Sequence, residues 1–194
     1  MSEDGEIYSL IARERQSRVC HRMDTLASCY YPDATITTSW MSGNVSQYLS
    51  GGKAPVNDPE YPIVSRIALP VVHQKGKRAY VEVPSTTLRW VSVNGEKAVL
   101  EYYMRLIYRV EKRDNDWKIS DFRSIYESDT LRPEIPGTDL HLDRDILVSL
   151  RHSYRYLAYV DGKENTSQEL VGIDRPEQVE ALYAELEEWL NSCI

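Results

Sequence analysis

Residues 98–113, AVLEYYMRLIYRVEKR, alternate along almost their whole length, and no other stretch limits the fold so tightly. Ala98, Leu100, Tyr102, Met104, Leu106, Tyr108 and Val110 fall on one side of an extended strand. Val99, Glu101, Tyr103, Arg105, Ile107 and Arg109 fall on the other. The first side is wholly apolar or aromatic and the second is mixed. A shift of one residue would exchange the two sets, so which side faces inward is left open. NGEK before this stretch and RDND after it read as hairpin turns.

The neighbouring segments extend the sheet. IVSRIALPVVHQ turns at KGK and returns as RAYVEVPSTTLRWVSV. Beyond RDND, Trp117 and Ile119 of WKISDFRSIYES share a face, but Phe122 and Ile125 break the alternation. A β-bulge near 120–122 is expected there. Helical spacing precedes the strands. Residues 6–18 carry the stripe Ile7, Leu10, Ile11, and continuing it reaches Glu14 and Arg18. These two form either a surface ion pair or the edge of a polar cavity. A second helix is expected over 23–31, a strand over ATITTSWM with Ile36, Thr38 and Trp40 on one face, and a short third helix in SGNVSQYLSGG. The Pro-rich stretch 50–62 has no period and reads as a lid or binding loop. Helices first and antiparallel strands after predict an α+β domain over residues 1–130, with helices on one face of a curved sheet. Residues 131–194 are expected to form a mainly helical extension, packed on the domain or on a partner subunit. Its helices are RDILVSLRHSYRYLAYV, after Asp143 as cap, and DRPEQVEALYAELEEWLNSC, with Val179, Leu182, Tyr183, Leu186, Trp189 and Leu190 on one stripe.

Composition removes several function classes. The net charge is −7 and the basic residues do not cluster, which argues against nucleic acid as a partner. No apolar run spans a bilayer, and MSEDGEIYSL lacks a secretory pattern, so a cytoplasmic protein without membrane contact is expected. Cys20, Cys29 and Cys193 are too few and too scattered for a disulfide framework or a metal site. No phosphate loop, nucleophile elbow or metal-binding spacing appears, so no cofactor and no metal is expected. His73 reads as a solvated hairpin histidine. The chain has 14 Tyr and one Phe. Tyrosine buries a ring but its hydroxyl needs a partner, so such a core holds many hydrogen bonds or a wet cavity.

MDTLASCYYPDATI, the strand-rich middle and RLIYRVEKRDNDWKI together resemble the SnoaL-like group of the nuclear transport factor 2-like superfamily, related to scytalone dehydratase, ketosteroid isomerase and polyketide cyclases. The resemblance covers about residues 5–128 and specifies fold better than activity. It implies a cone-shaped α+β barrel, three N-terminal helices on a strongly bent antiparallel sheet around one apolar pocket, and a homodimer formed through the sheet. The family's dehydratases use an Asp in the first helix and a His on a middle strand. The matching positions here are Val19 and Ser65-Arg66, so that pair is missing. The polyketide cyclases place an acid/base Asp on the final strand, where this chain has Asp121.

Two functions follow from this reading. One is a cofactor-independent dehydratase, isomerase or cyclase moving a proton on a small, apolar, ring-bearing metabolite. Asp121 would be its acid or base, Glu14 a second one, and Tyr30 and Tyr108 an oxyanion hole. Thr38, Trp40, Tyr102, Met104, Leu106 and Phe122 would line the substrate pocket. The other is a non-catalytic small-molecule binding or scaffold protein that has lost the reactive pair. Asp121 also reads as an exposed sheet carboxylate paired with Arg123 or Arg105.

Overall fold

The computed structural model describes residues 3–50, 58–162, 166 and 170–192. Helices α1 (Glu3–Val19) and α2 (Met23–Ser28) lead into strand β1 (Tyr30–Thr37), the short β2 (Ser42–Asn44) and helix α3 (Val45–Ser50). Strands β3 (Ile63–Ile67), β4 (Val71–Lys75), β5 (Arg78–Val93), β6 (Glu96–Arg113) and β7 (Asp116–Pro133) follow. The extension holds α4 (Arg144–Ser149), a 3-10 turn (His152–Tyr154), α5 (Arg155–Asp161), the two-residue β8 (Val171–Gly172) and α6 (Pro176–Asn191). The fold is α+β, as the order of elements implied. Most of the loop expected over 50–62, and Cys193, lie outside the described residues.

The sheet runs β2-β1-β7-β6-β5-β3, with β4 also on β5 and β8 on β7. Its spine is the β5–β6–β7 meander. Asn94 and Gly95 (φ 52° and 89°) turn the first hairpin, and Asp114 and Asn115 (φ 51° and 64°) the second. Left-handed backbone at both central positions matches the twist of the flanking strands. The sheet is not wholly antiparallel: β1 runs parallel to β7, pairing Tyr30 with Ile119 and Ile36 with Phe122. No strand pairing among the described residues joins β2 to β3, so the barrel stays open.

Tyr30 and Tyr31 belong to this strand and do not end a helix. Pro32 disfavours helical backbone at Tyr31, and the chain enters the sheet two residues after α2 stops. Trp40 lies past the end of β1 and is 39 % exposed. In β7, Arg109 pairs with Asp121 while Val110 pairs with Ile119, so Ser120 is an inserted residue. This is the bulge expected from the broken alternation, and it puts Ile119 and Phe122 on the same side.

The two faces of the sheet are covered differently. Leu100, Met104, Leu106, Tyr108 and Val110 of β6 join the main core beneath α1 to α3. This settles the open register question: the even-numbered set faces inward. The extension divides between the faces. Leu150, Tyr154, Leu157 and Ala158 enter that inner core, whereas Leu182, Leu186 and Leu190 of α6 pack on Tyr80, Ile107 and Ile125 of the outer face. The continuous helix expected over 144–160 is broken, because Leu150 and Arg151 are extended (ψ 153° and 139°). The break turns Tyr154 and Leu157 inward while Ile146 and Val148 stay exposed. Asp143 caps α4 as expected, its Oδ1 accepting from the backbone N–H of Asp145 and Ile146. Among the described residues no helix is long and apolar enough to cross a membrane.

Candidate functional site

Helix α1 lies along the inner face against β6. Glu6 meets Lys112 at 3.6 Å near one end, and Glu14 reaches Tyr108 further along. Beyond that, Arg18 comes close enough to interact electrostatically with Tyr102. Glu14 is 0 % exposed. It accepts hydrogen bonds from the hydroxyls of Tyr30 (2.9 Å) and Tyr108 (3.1 Å) and from both Nε and Nη2 of Arg15 (the latter at 2.7 Å). The Arg15 guanidinium in turn lies 5.2 Å over the ring of Phe122 and 5.8 Å over that of Tyr108. Glu14 is not in a surface pair; it sits in a buried polar cluster. Its cationic partner is Arg15, not Arg18. Spacing could not show this, since adjacent helical residues normally point apart.

The electrostatics of this cluster limit its chemistry. Burial pushes the Glu14 carboxyl up, but the charge and hydrogen bonds of Arg15, with help from Arg18 and Tyr30, hold it below the ordinary value. The group is an ionised carboxylate with its acceptor sites occupied. Burial, together with the negative charge of Glu14, holds both phenols well above their ordinary range. A phenol has one proton to give, and here each gives it to Glu14. In this arrangement Tyr30 and Tyr108 offer nothing to a bound carbonyl, contrary to the oxyanion-hole expectation.

A second group occupies the inner face between the end of α1 and α5. A capping box between Asn44 and Gln47 starts α3, each backbone N–H donating to the other's side-chain oxygen (3.0 and 2.9 Å). That helix carries Tyr48 into the core. Trp40 stacks on Tyr48 at 5.7 Å between centroids, and the Arg18 guanidinium lies 4.7 Å over the same ring. Tyr102 and Tyr126 lie on neighbouring strands of this face, and Tyr126 meets Tyr154 edge-on at 5.5 Å. Helix α5 closes the far side, where Arg89 of β5 forms a two-pronged ion pair with Asp161 at 2.9 Å. Sequence reasoning missed Arg15, Arg89 and Tyr126; Tyr48 appeared only within the expected third helix.

Asp121 does not share this space. It accepts from Thr35 Oγ1 and from Arg123 Nε, and Arg123 continues to Glu185 of α6 on the outer face. The bulge at Ser120 explains this: it returns Phe122 to the inner side and turns Asp121 away. The pairing with Arg123 is the one expected of a sheet carboxylate, but Asp121 is buried rather than exposed. Thr38 is buried and bonded to its own turn, its N–H reaching the Met41 carbonyl at 2.8 Å. Leu106 and Phe122 are deep in the core, Met104 is buried higher on the same face, and Tyr102 is partly buried against it. His73 lies at the outer face, 2.9 Å from Glu82 and stacked on Tyr80. A surface groove of about 270 Å³ at the β3 edge, bordered by Arg66, Pro84, Tyr103 and Glu127, touches Met104 alone of the expected site residues.

No family model and no curated protein matches the chain. Solved structures do. A hexachlorocyclohexane dehydrochlorinase, LinA type 2, superposes with a TM-score of 0.57 at 15 % identity, covering 71 % of this chain and 96 % of that one. A protein from Caulobacter vibrioides with a cystatin-like fold gives 0.53 at 13 % identity, over 64 % and 89 % of the two chains. The chain has the cystatin-like, or NTF2-like, fold. A protein assigned as a scytalone dehydratase, from Novosphingobium aromaticivorans, gives 0.51 at 11 % identity over 71 % and 95 %. More than a quarter of this NTF2-like chain therefore has no counterpart in the dehydrochlorinase.

One further carboxylate stands out on the NTF2-like sheet. Asp129 of β7, paired across strands with Tyr102, is buried beneath the start of α5. Its Oδ2 accepts from the Leu157 N–H at 2.7 Å, and its Oδ1 has no hydrogen-bond partner among the described residues. Burial lifts its pKa to about 6, against the pull of the α5 amides and of Arg155 and His152. A carboxyl raised on folding favours the native state most when protonated, so its contribution is full below about pH 4 and lost as pH rises through 6. The expected result is that Asp129→Asn gains on the wild type by up to about 3 kcal/mol between pH 4 and 7. Urea unfolding at several pH values measures this; a constant difference between the two proteins would refute it.

Proposed function

We propose that the inner face binds a small, ring-bearing molecule and that the protein is a non-catalytic, cytoplasmic binding member of this fold. The observation that carries this reading is the saturated state of Glu14. A guest on the inner face would meet rings, phenols and guanidinium groups, but the central carboxylate there is ionised and fully bonded. Val19 and Ser65 stand where the dehydratase pair is expected. Trp40, Tyr102 and Met104 would form the contact wall with Thr38, and Leu106 and Phe122 its floor. The dehydrochlorinase neighbour acts, by its name, on a chlorinated cyclohexane, which is ring-bearing and apolar. The homodimer that the family resemblance implies cannot use the part of the outer face that α6 covers.

The test is calorimetry with a panel of cyclic metabolites, each mixture then examined by mass spectrometry. Binding without product is expected, and Trp40→Ala should weaken it about tenfold, in line with loss of one aromatic contact. Product formation that Glu14→Gln abolishes would overturn the non-catalytic reading.

A cofactor-independent dehydratase, isomerase or cyclase is the second reading, and Asp129 favours it. A carboxyl with a pKa of about 6 and one unbonded oxygen is suited to proton transfer near neutrality. Turnover lost in Asp129→Asn but kept in Asp121→Asn would establish it.

A further inference from the structure

Two hydrogen-bond donors on the inner face are unspent. Arg18, in the last turn of α1, is partly buried and stacks on Tyr48, yet no carboxylate or other acceptor among the described residues bonds its guanidinium. Two neighbouring guanidinium groups are matched by carboxylates, Arg15 by Glu14 and Arg89 by Asp161. The Tyr48 hydroxyl is buried and also has no hydrogen-bond partner among the described residues. A buried hydroxyl with no acceptor, beside a guanidinium with no carboxylate, calls for an explanation.

We infer that Arg18 and Tyr48 receive the anionic oxygens of a ring-bearing carboxylate, whose ring lies against Trp40. This rests on the reading of the inner face as a ligand site and names the class of ligand. The charge count agrees. Glu14 with Arg15, and Arg89 with Asp161, each cancel, and Asp129 faces Arg155 and His152, which leaves Arg18 with no carboxylate of its own among the described residues. Burial and repulsion from Arg15 weigh against its charged form, and the negative charge of an anionic ligand would offset them. A carboxylate accepts two parallel N–H bonds from a guanidinium, while an amide or alcohol of the same shape cannot. Trp40 stacks on Tyr48 with rings 18° from parallel, and the partly exposed Trp40 offers a flat surface for a ring.

The experiment compares aryl carboxylates, from benzoate to 2-naphthoate, with their primary amides by calorimetry on the full chain. The wild type is expected to bind the acid at least about tenfold more tightly than its amide, the size of one charge-assisted bond. Arg18→Met should erase that preference, Arg18→Lys should keep part of it, and Tyr48→Phe should reduce it several-fold. Should Arg18→Met fail to fold, the lysine and phenylalanine variants decide, because selectivity between acid and amide does not follow from fold integrity. Equal affinity for acid and amide in the wild type overturns the inference and leaves the binding function standing. Absence of binding by every pair overturns both. A preference that survives in all three variants overturns the role of Arg18 and Tyr48.

Discussion

Glu14→Ala is expected to cost about 3–5 kcal/mol of folding stability, the usual result of removing one member of a buried ion pair. The cost does not measure how well the cluster stabilises the fold. It arises because Arg15, Tyr30 and Tyr108 lose a shared acceptor in a place where water cannot replace it. Glu14→Gln should cost less, since the amide oxygen still accepts from one phenol. Replacing Glu14, Arg15, Tyr30 and Tyr108 together with Leu, Met and Phe should recover most of the loss, because matched apolar groups often equal a buried charge network. The pH dependence has a definite sign. Glu14 titrates below its ordinary value in the native state, so its contribution is present above about pH 4.5 and falls away in acid. Urea unfolding of the wild type and Glu14→Ala at pH 7 and pH 3 should give a difference that shrinks at the lower pH. A loss under 1 kcal/mol at pH 7 would mean that the cluster is hydrated and accessible, and would reopen Glu14 as an acid or base.

The meander was legible because its signals are local. The left-handed turns at Asn94-Gly95 and Asp114-Asn115, the skipped residue at Ser120 and the alternation of β6 are each written in consecutive residues. The stripe of α6 could be read for the same reason. Which sheet face each stripe meets could not, because that depends on contacts between residues far apart in sequence. Tyr108 and Tyr80 look alike in the sequence, yet one donates to Glu14 inside and the other to Glu187 of α6 outside. The abundance of tyrosine did point to a hydrogen-bonded interior, and the structure shows where those bonds go.

The candidate site was less legible than the fold. Asp121 fitted the position of a catalytic residue in the polyketide cyclases that the sequence resembles, but one inserted residue turned it to the other face. Arg15 pairs with its own neighbour, a geometry that helical spacing disfavours. Asp129 and Arg89 owe their partners to α5, which folds back onto the sheet from the extension. No pattern within β5 or β7 could announce those partners, since the matching residues lie dozens of positions downstream.

Deleting residues 174–194 should raise the association state of the protein above that of the full chain and lower its stability. The truncation uncovers Tyr80, Ile107 and Ile125, a contiguous apolar part of the outer face that α6 now covers. It also leaves Arg109 and Arg123 without Glu185, and Tyr80 without Glu187. The leucines dominate this docking. Each of Leu182, Leu186 and Leu190 gains about 1.5–3 kcal/mol from burial. The ion pairs involving the half-exposed Glu185 are worth roughly 0.2–1 kcal/mol each. Arg123, first through its hydrogen bond, holds the Glu185 carboxyl near 2, so these pairs persist well into the acid range and mild acid alone should not release the helix. Leu186→Asp should therefore reproduce the truncation while Glu185→Ala should not. Sedimentation of the four proteins at equal concentration separates the cases. A truncated chain with the same mass and stability as the full one would show that the outer face does not need its cover, and that α6 is an appendage with no part in keeping copies of this sheet apart.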